Sequence, residues 1–133
     1  WTEQVPEKLG HTIPQLQEPL LKTAQPIPKI SFSCCGNQPF MEALQALDRK
    51  QVLVTGLETH ICVYQTVLDL LEIGYEVQAV TDALSSRTVE NKQIGLERMK
   101  AAGASLTSTE TALFELLRVA EGDSFRTISK LVK

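Results

Sequence analysis

From Gln51 onward the chain alternates between two patterns. Short apolar runs rich in β-branched residues give way, after a polar turn, to stretches in which apolar residues recur every three or four positions, and a glycine precedes the next run. This is the grammar of strand, crossover helix and strand. The run Gln51–Leu57 is apolar on consecutive positions, as a strand covered on both faces requires, and is expected to be central. Val63, Val67, Leu70 and Leu71 then form a helical stripe while Gln65, Asp69 and Glu72 fall outside it, and Gly74 supplies a position where φ can turn positive, so the spacing predicts a helix over about 59–73. A second strand is expected over 76–82 and a second helix over about 88–102, ending at Gly103 with Arg98 and Lys100 near its dipole-negative end. A third strand over 104–107 leads to a helix over about 110–120, with Thr107 and Glu110 as its capping box and Gly122 as its end. A last helix over 125–132 puts Phe125, Ile128 and Val132 on one side. Strands beginning at residues 51, 76 and 104 are separated by the length of a strand plus a crossover helix, so a parallel sheet follows.

The N-terminal third reads differently. All six prolines lie before residue 40, which predicts mostly loop, one extended piece over 29–33 and a helix over about 39–49 that opens on Pro39. No repeat beyond the strand–helix alternation and no Gly/Ser linker interrupts the chain, and 133 residues suffice for one core and not for two.

Composition narrows the function. Average apolar and charged fractions exclude disordered and collagen-like classes. The net charge is −3 and no basic run exceeds two residues, so neither nucleic acid nor an anionic membrane is an expected partner; a small-molecule substrate or a protein is. Apolar stretches are strand-sized and nothing near the start resembles a signal peptide, which reads as a soluble, cytoplasmic protein. Cys34, Cys35 and Cys62 are an odd number with no disulfide or zinc spacing, in keeping with a reducing compartment.

In open parallel sheets the ligand crevice lies beyond the carboxyl ends of the strands. There, Gly56-Leu-Glu-Thr-His-Ile-Cys62 sets Cys62 in the first turn of a helix, where unpaired backbone N–H groups and the helix dipole favour a thiolate and could hold the oxyanion of a tetrahedral intermediate. The competing reading is plain packing, since free cysteine is among the most buried residue types.

Five segments carry a family resemblance: Thr2-Glu-Gln-Val-Pro-Glu-Lys-Leu-Gly10, Lys29-Ile-Ser-Phe-Ser33, Val54-Thr-Gly-Leu-Glu-Thr-His-Ile-Cys62, Val80-Thr-Asp-Ala-Leu-Ser-Ser-Arg87 and Gly103-Ala-Ser-Leu-Thr-Ser-Thr-Glu110. In this order, over nearly the whole chain, they resemble the isochorismatase-like hydrolases, nearest to the small cysteine-hydrolase branch. The resemblance implies a three-layer α/β/α, Rossmann-like fold with a mostly parallel sheet. It also implies an Asp–Lys–Cys triad in which Cys62 is the nucleophile and Lys29 the cation, although Lys29 alone would more often be a solvated charge. It implies a cis peptide between Leu57 and Glu58, which would aim the N–H groups of Glu58 and Cys62 at the oxyanion. Some relatives bind a metal through an Asp and histidines before the lysine. Only His11 lies there, so no metal and no other cofactor is expected. His60 reads equally as a packing or interface residue, and Asp82, Ser85, Ser86 and Arg87 read as capping and local salt-bridge groups. Family members often assemble, so a homo-oligomer is expected.

The triad aspartate belongs, by the resemblance, at the end of a first strand upstream of Thr2. Asp48, Asp69, Asp82 and Asp123 all follow Lys29 and match no motif, and the chain starts at Trp1 in place of Met. The expectation is therefore a single isochorismatase-like domain over residues 1–133, lacking its N-terminal strand and helix and so open in mid-sheet. For the full-length protein the expected activity is hydrolysis of a small amide or related carbonyl compound by a cysteine nucleophile. The alternatives are a non-catalytic interaction or structural module that keeps the fold, and, less favoured, a thiol redox protein using Cys34-Cys35.

Overall fold

The structure, a computed structural model, describes residues 1–132. It is a mixed α/β fold in which every strand pairing is parallel. The N-terminal part contributes β1 (Thr2–Gln4), α1 (Pro6–Leu9), α2 (Pro14–Leu20), β2 (Ile27–Lys29) and α3 (Gln38–Ala46). Next come β3 (Gln51–Leu57), a π turn (Thr59–Val63), α4 (Tyr64–Glu72), β4 (Glu76–Ser85), α5 (Val89–Ala101), β5 (Ser105–Thr107), α6 (Thr109–Leu117) and α7 (Gly122–Leu131). Strands β1 and β2 form one sheet, and β3, β4 and β5 form another in that order. No helix among the described residues is long and apolar enough to cross a membrane.

The core lies on one face of the larger sheet. Val77, Ala79 and Leu84 of β4 meet Val63, Val67 and Leu70 from the turn and α4, and Leu96 and Met99 from α5. Burying each large side chain contributes about 1.5–3 kcal/mol. Helix α6 packs against β4 on the other side, with Ala112 buried. Helices α5 and α6 begin where short polar side chains take their first free N–H groups. Thr88 accepts from the Asn91 N–H, and Ser108 from the Thr111 N–H.

Several expectations need correction. The middle strand of the larger sheet is β4, whereas β3 exposes alternate residues, with Leu53 47% and Leu57 73% accessible. The cause is that β3 pairs only with β4 among the described residues and that α6 packs chiefly on β4. Strand β4 runs on to Ser85, three residues past the expected end, because the chain pairs with β3 again after a register shift, Gly56 facing Leu84. The cap of α6 is Ser108, not Thr107, whose side chain lies at the end of β5; Arg118 (φ 67°), not Gly122, closes that helix, and Gly122 opens α7. The N-terminal third holds two strands and two short helices where mostly loop was expected. Its prolines open the helices at Pro6 and Pro14, as first-turn positions allow. The extended piece is 27–29, and 31–33 bend away from it.

The centre of β1 carries a buried acid. The Glu3 carboxylate, 6% exposed, accepts the Thr12 N–H (2.8 Å) and lies 2.9 Å from His11 Nδ1. The Thr12 N–H first, then His11, pull it from 4.5 down to about 2. A depressed carboxyl stabilises the fold above its unfolded value, and this contribution fades as pH falls from about 4.5 towards about 2. Glu3→Gln is therefore expected to lower stability at pH 7 by about 1–3 kcal/mol and to lose less than the parent between pH 5 and 2.5. Urea midpoints across that range test this; parallel profiles for the two proteins would rule it out.

Candidate functional site

The chain leaves β3 at Leu57, passes through a cis peptide to Glu58 and enters the π turn without an intervening loop. The Glu58 carbonyl accepts from Ile61 N–H (3.1 Å) and, five residues on, from Val63 N–H (3.2 Å). Cys62, half-buried, sits in this turn at the carboxyl end of β3. Wide turns of this type recur at functional sites.

Glu58 and the first two residues of the turn are fastened to the end of β4 and the two residues after it. The Glu58 carboxylate accepts from Arg87 N–H, Nε and Nη2 at 3.2, 3.0 and 2.9 Å. The fully buried Thr59 donates its hydroxyl to the Ser85 carbonyl (2.8 Å), and His60 Nδ1 lies 3.1 Å from Ser86 Oγ. From below, α5 presses its backbone on the turn. A Cβ on Gly95 would stand 2.9 Å from His60 N, His60 Cα and Thr59 C.

Lys29 ends β2 and is 5% exposed. Its ammonium donates to Gln4 Oε1 and to the carbonyls of Ser31 and Phe32 (both 2.8 Å). The Gln4 amide is itself oriented by donating to the Ile30 carbonyl (2.7 Å). No carboxylate pairs with Lys29 among the described residues. Cys62 and Lys29 are not hydrogen-bonded to each other; they are connected through the loop between them. Buried Thr66 accepts the Cys34 N–H (2.9 Å) and donates to the Cys62 carbonyl (2.7 Å). Ser33 Oγ fastens the same loop to Asp69 Oδ2 (2.5 Å).

The remaining candidates have other duties. His11 stands against Glu3. Asp82 caps α6 through the Thr109 N–H (2.8 Å), which with the Thr109 hydroxyl holds its carboxyl below the usual range. Burial, joined by the nearby Asp69 charge, pushes the Cys35 thiol up to about 11, so it stays protonated at neutral pH and is a poor redox nucleophile. Sequence reasoning passed over Gln4, Thr66 and Gly95. A glycine in mid-helix was the one available signal, and the two polar residues carried none.

Two concavities stand out. One of about 1000 Å³ lies beside the exposed face of β3 and α6, lined by Gln51, Leu53, Gln78 and Phe114; another of about 410 Å³ borders Lys29, Ser31 and Asn37. Cys62 lines neither.

The isochorismatase domain family matches residues 6–111. Isochorismatase family protein 1B of Dictyostelium discoideum is 40% identical over all of this chain and 66% of its own length, so the chain spans a little under two thirds of the curated relatives it matches. Among solved structures, the MAR1 ribonuclease from Caenorhabditis elegans is similar at 37% identity and a TM-score of 0.90, covering 98% of this chain and 67% of that one. The YcaC gene product of Escherichia coli, described as an octameric hydrolase of unknown specificity, is 27% identical with a TM-score of 0.89, covering 96% and 64%. YcaC from Pseudomonas aeruginosa, with hexane-2,5-diol and covalent acrylamide, is 30% identical with a TM-score of 0.89 and the same coverage.

The close approach at Gly95 generates a prediction. Exposed Gly→Ala changes in helices stabilise by about 1 kcal/mol. Gly95→Ala is expected to do the opposite, destabilising by about 1–3 kcal/mol because the methyl meets backbone that cannot rotate aside. A raised urea midpoint would refute this.

Proposed function

The chain belongs to the isochorismatase family and has its hydrolase fold, and on that premise we propose that it acts as a cysteine hydrolase on a small amide or related carbonyl compound. Cys62 is the nucleophile, Lys29 the cation, and the N–H groups of Glu58 and Cys62 the oxyanion donors. The Cys62 sulfur attacks the carbonyl carbon, and the oxygen takes up negative charge beside those donors. Collapse expels the amine, which leaves with a proton, and water then hydrolyses the thioester. Residues 1–133 serve as one isochorismatase-like domain. Its two sheets would become one if a further strand lay between β1 and β3. The carboxylate that moves protons is not among the four aspartates of this chain. Asp69 holds Ser33, Asp82 caps α6, Asp123 pairs with Arg126, and Asp48 sits in a turn at φ 49°.

The observation that carries this reading is Lys29. An ammonium withdrawn from water among neutral oxygens is costly, and a charge so placed calls for an anion when the site is occupied. A thiolate or a developing oxyanion is such an anion. Covalent acrylamide in the Pseudomonas aeruginosa neighbour supports a reactive nucleophile on a protein of this fold. The octamer of the Escherichia coli neighbour supports self-assembly. A ribonuclease role is not carried over, since a chain of net charge −3 with no long basic run is poorly suited to bind a polyanion.

Peptide mapping after exposure to acrylamide tests the assignment. Cys62 is expected to react well ahead of Cys34 and Cys35, Cys62→Ala to leave no fast adduct, and Lys29→Met to move the pH midpoint of the reaction upward by about one unit or more. Equal labelling of the three cysteines would favour the non-catalytic module, as would a midpoint unmoved by Lys29→Met.

A further inference from the structure

The ion pair between Glu58 and Arg87 has no place in the triad, yet it is the one salt bridge among the described residues that joins two elements of the larger sheet. The other two lie within the N-terminal part, His11 with Glu3, and within α7, Arg126 with Asp123. Its geometry is specific. Arg87 Nε and Nη2 grip the two carboxylate oxygens as a fork, and Arg87 N–H adds a third bond to Oε1. The carboxylate thus registers the backbone that leaves β4 as well as a long, mobile side chain. The guanidinium holds the Glu58 carboxyl below the usual range, so the pair is charged throughout the neutral and alkaline range in which a thiol titrates.

The strand ladder stops one residue short of this point. Pairing between β3 and β4 is regular from Gln51 to Val54, opposite Glu76 to Ala79, then slips and resumes with Gly56 opposite Leu84 and Leu57 opposite Ser85. Two steps along β3 correspond to five along β4 at the slip, so the carboxyl end of β3 rests on two pairs beyond an interruption. Residue 58 lies just past the last pair, where its side chain extends the hold on β4 to Arg87. Stability is a weak motive for such a contact. The Arg87 side chain is 69% exposed, and pairs so open to water contribute little to folding.

We propose that Glu58 and Arg87 are positioning residues of the Cys62 site, a clasp that fixes the backbone at residue 58 against the carboxyl end of β4 and so sets where the Glu58 N–H points. This rests on the reading of Cys62 as nucleophile with the Glu58 N–H as an oxyanion donor. A clasp and a mere charge effect differ in sign. Glu58→Ala removes an anion near the thiol and Arg87→Ala removes a cation, so pure electrostatics would move the thiol in opposite directions, whereas loss of position harms both variants alike.

Two reagents separate these cases. When acrylamide reacts, the sulfur bonds to the terminal alkene carbon, the alkene electron pair shifts towards the carbonyl oxygen, and water then supplies a proton to the adjacent carbon. That oxygen needs the N–H donors. When iodoacetamide reacts, the sulfur–carbon bond forms as carbon–iodine breaks and iodide leaves, with no charge built on the carbonyl. The ratio of the two rates at Cys62, read by peptide mapping in the full chain, therefore reports the donors and not the thiol's ionisation.

The ratio is expected to fall about tenfold in Glu58→Ala and in Arg87→Ala, and no further in the double variant. Arg87→Lys, which keeps the charge and gives up the fork, is expected to lower it too; it carries the test if an alanine variant fails to give the parental circular dichroism. An unchanged ratio with pH midpoints moved in opposite directions would overturn the clasp while leaving Cys62 as nucleophile. A Cys62 that reacts with neither reagent faster than glutathione would overturn both.

Discussion

A strand that becomes a helix within two residues leaves its first backbone N–H groups without intrahelical partners, and the proposed site depends on holding such a turn still. Residues 58–63 meet the requirement from outside. Side chains of Glu58, Thr59 and His60 reach to residues 85–87, and the backbone of α5 closes on the turn at Gly95. The wide turn follows from the same arrangement, with the Glu58 carbonyl serving two donors. Burial of Thr59, a polar residue with no exposure, is tolerable because its hydroxyl is satisfied by the Ser85 carbonyl.

Lys29 imposes a second constraint, on the loop that follows it. Residues 31 and 32 turn their carbonyls to the ammonium, and the apolar side chains of this stretch go outward: Ile30 is 84% and Phe32 55% exposed. Apolar burial worth about 1.5–3 kcal/mol per side chain is given up there for the solvation of one charge. The same loop then reaches α4 through Ser33 and Cys34, so the position of the lysine relative to the cysteine rests on Thr66 and Asp69. Conversion of the smaller sheet's geometry into the site's geometry passes through those contacts.

Much of this was legible where local chemistry decides the outcome. Helices α4 and α5 lie where apolar spacing puts them, and Thr88 caps α5 as its position implies, whereas the ends of α6 and α7 differ from expectation. Ser108 was overlooked in favour of Thr107 because sequence offers two adjacent hydroxyls, and only the end of β5 shows which is free to cap. The bare edge of β3 goes with the expected opening in mid-sheet, but the exposure of its face was not legible. A run apolar on both faces states what the strand would tolerate, while its cover depends on where α6 docks. Nor could spacing show that Glu58, Thr59 and His60 face Arg87, Ser85 and Ser86. That correspondence depends on the slip in register after Val54, a tertiary event.

The concavity beside β3 and α6 has a structural origin. It exists because α6 covers β4 and leaves Leu53 and Gln51 bare, and its lining holds no cysteine or histidine. Volume there records missing cover. The turn at residues 58–63 holds a half-buried thiol in the first turn of a helix, with a buried cation one loop away. In a parallel sheet such features converge at the carboxyl ends because that is where helices begin, which is why the proposed site lies at the thiol and not at the groove.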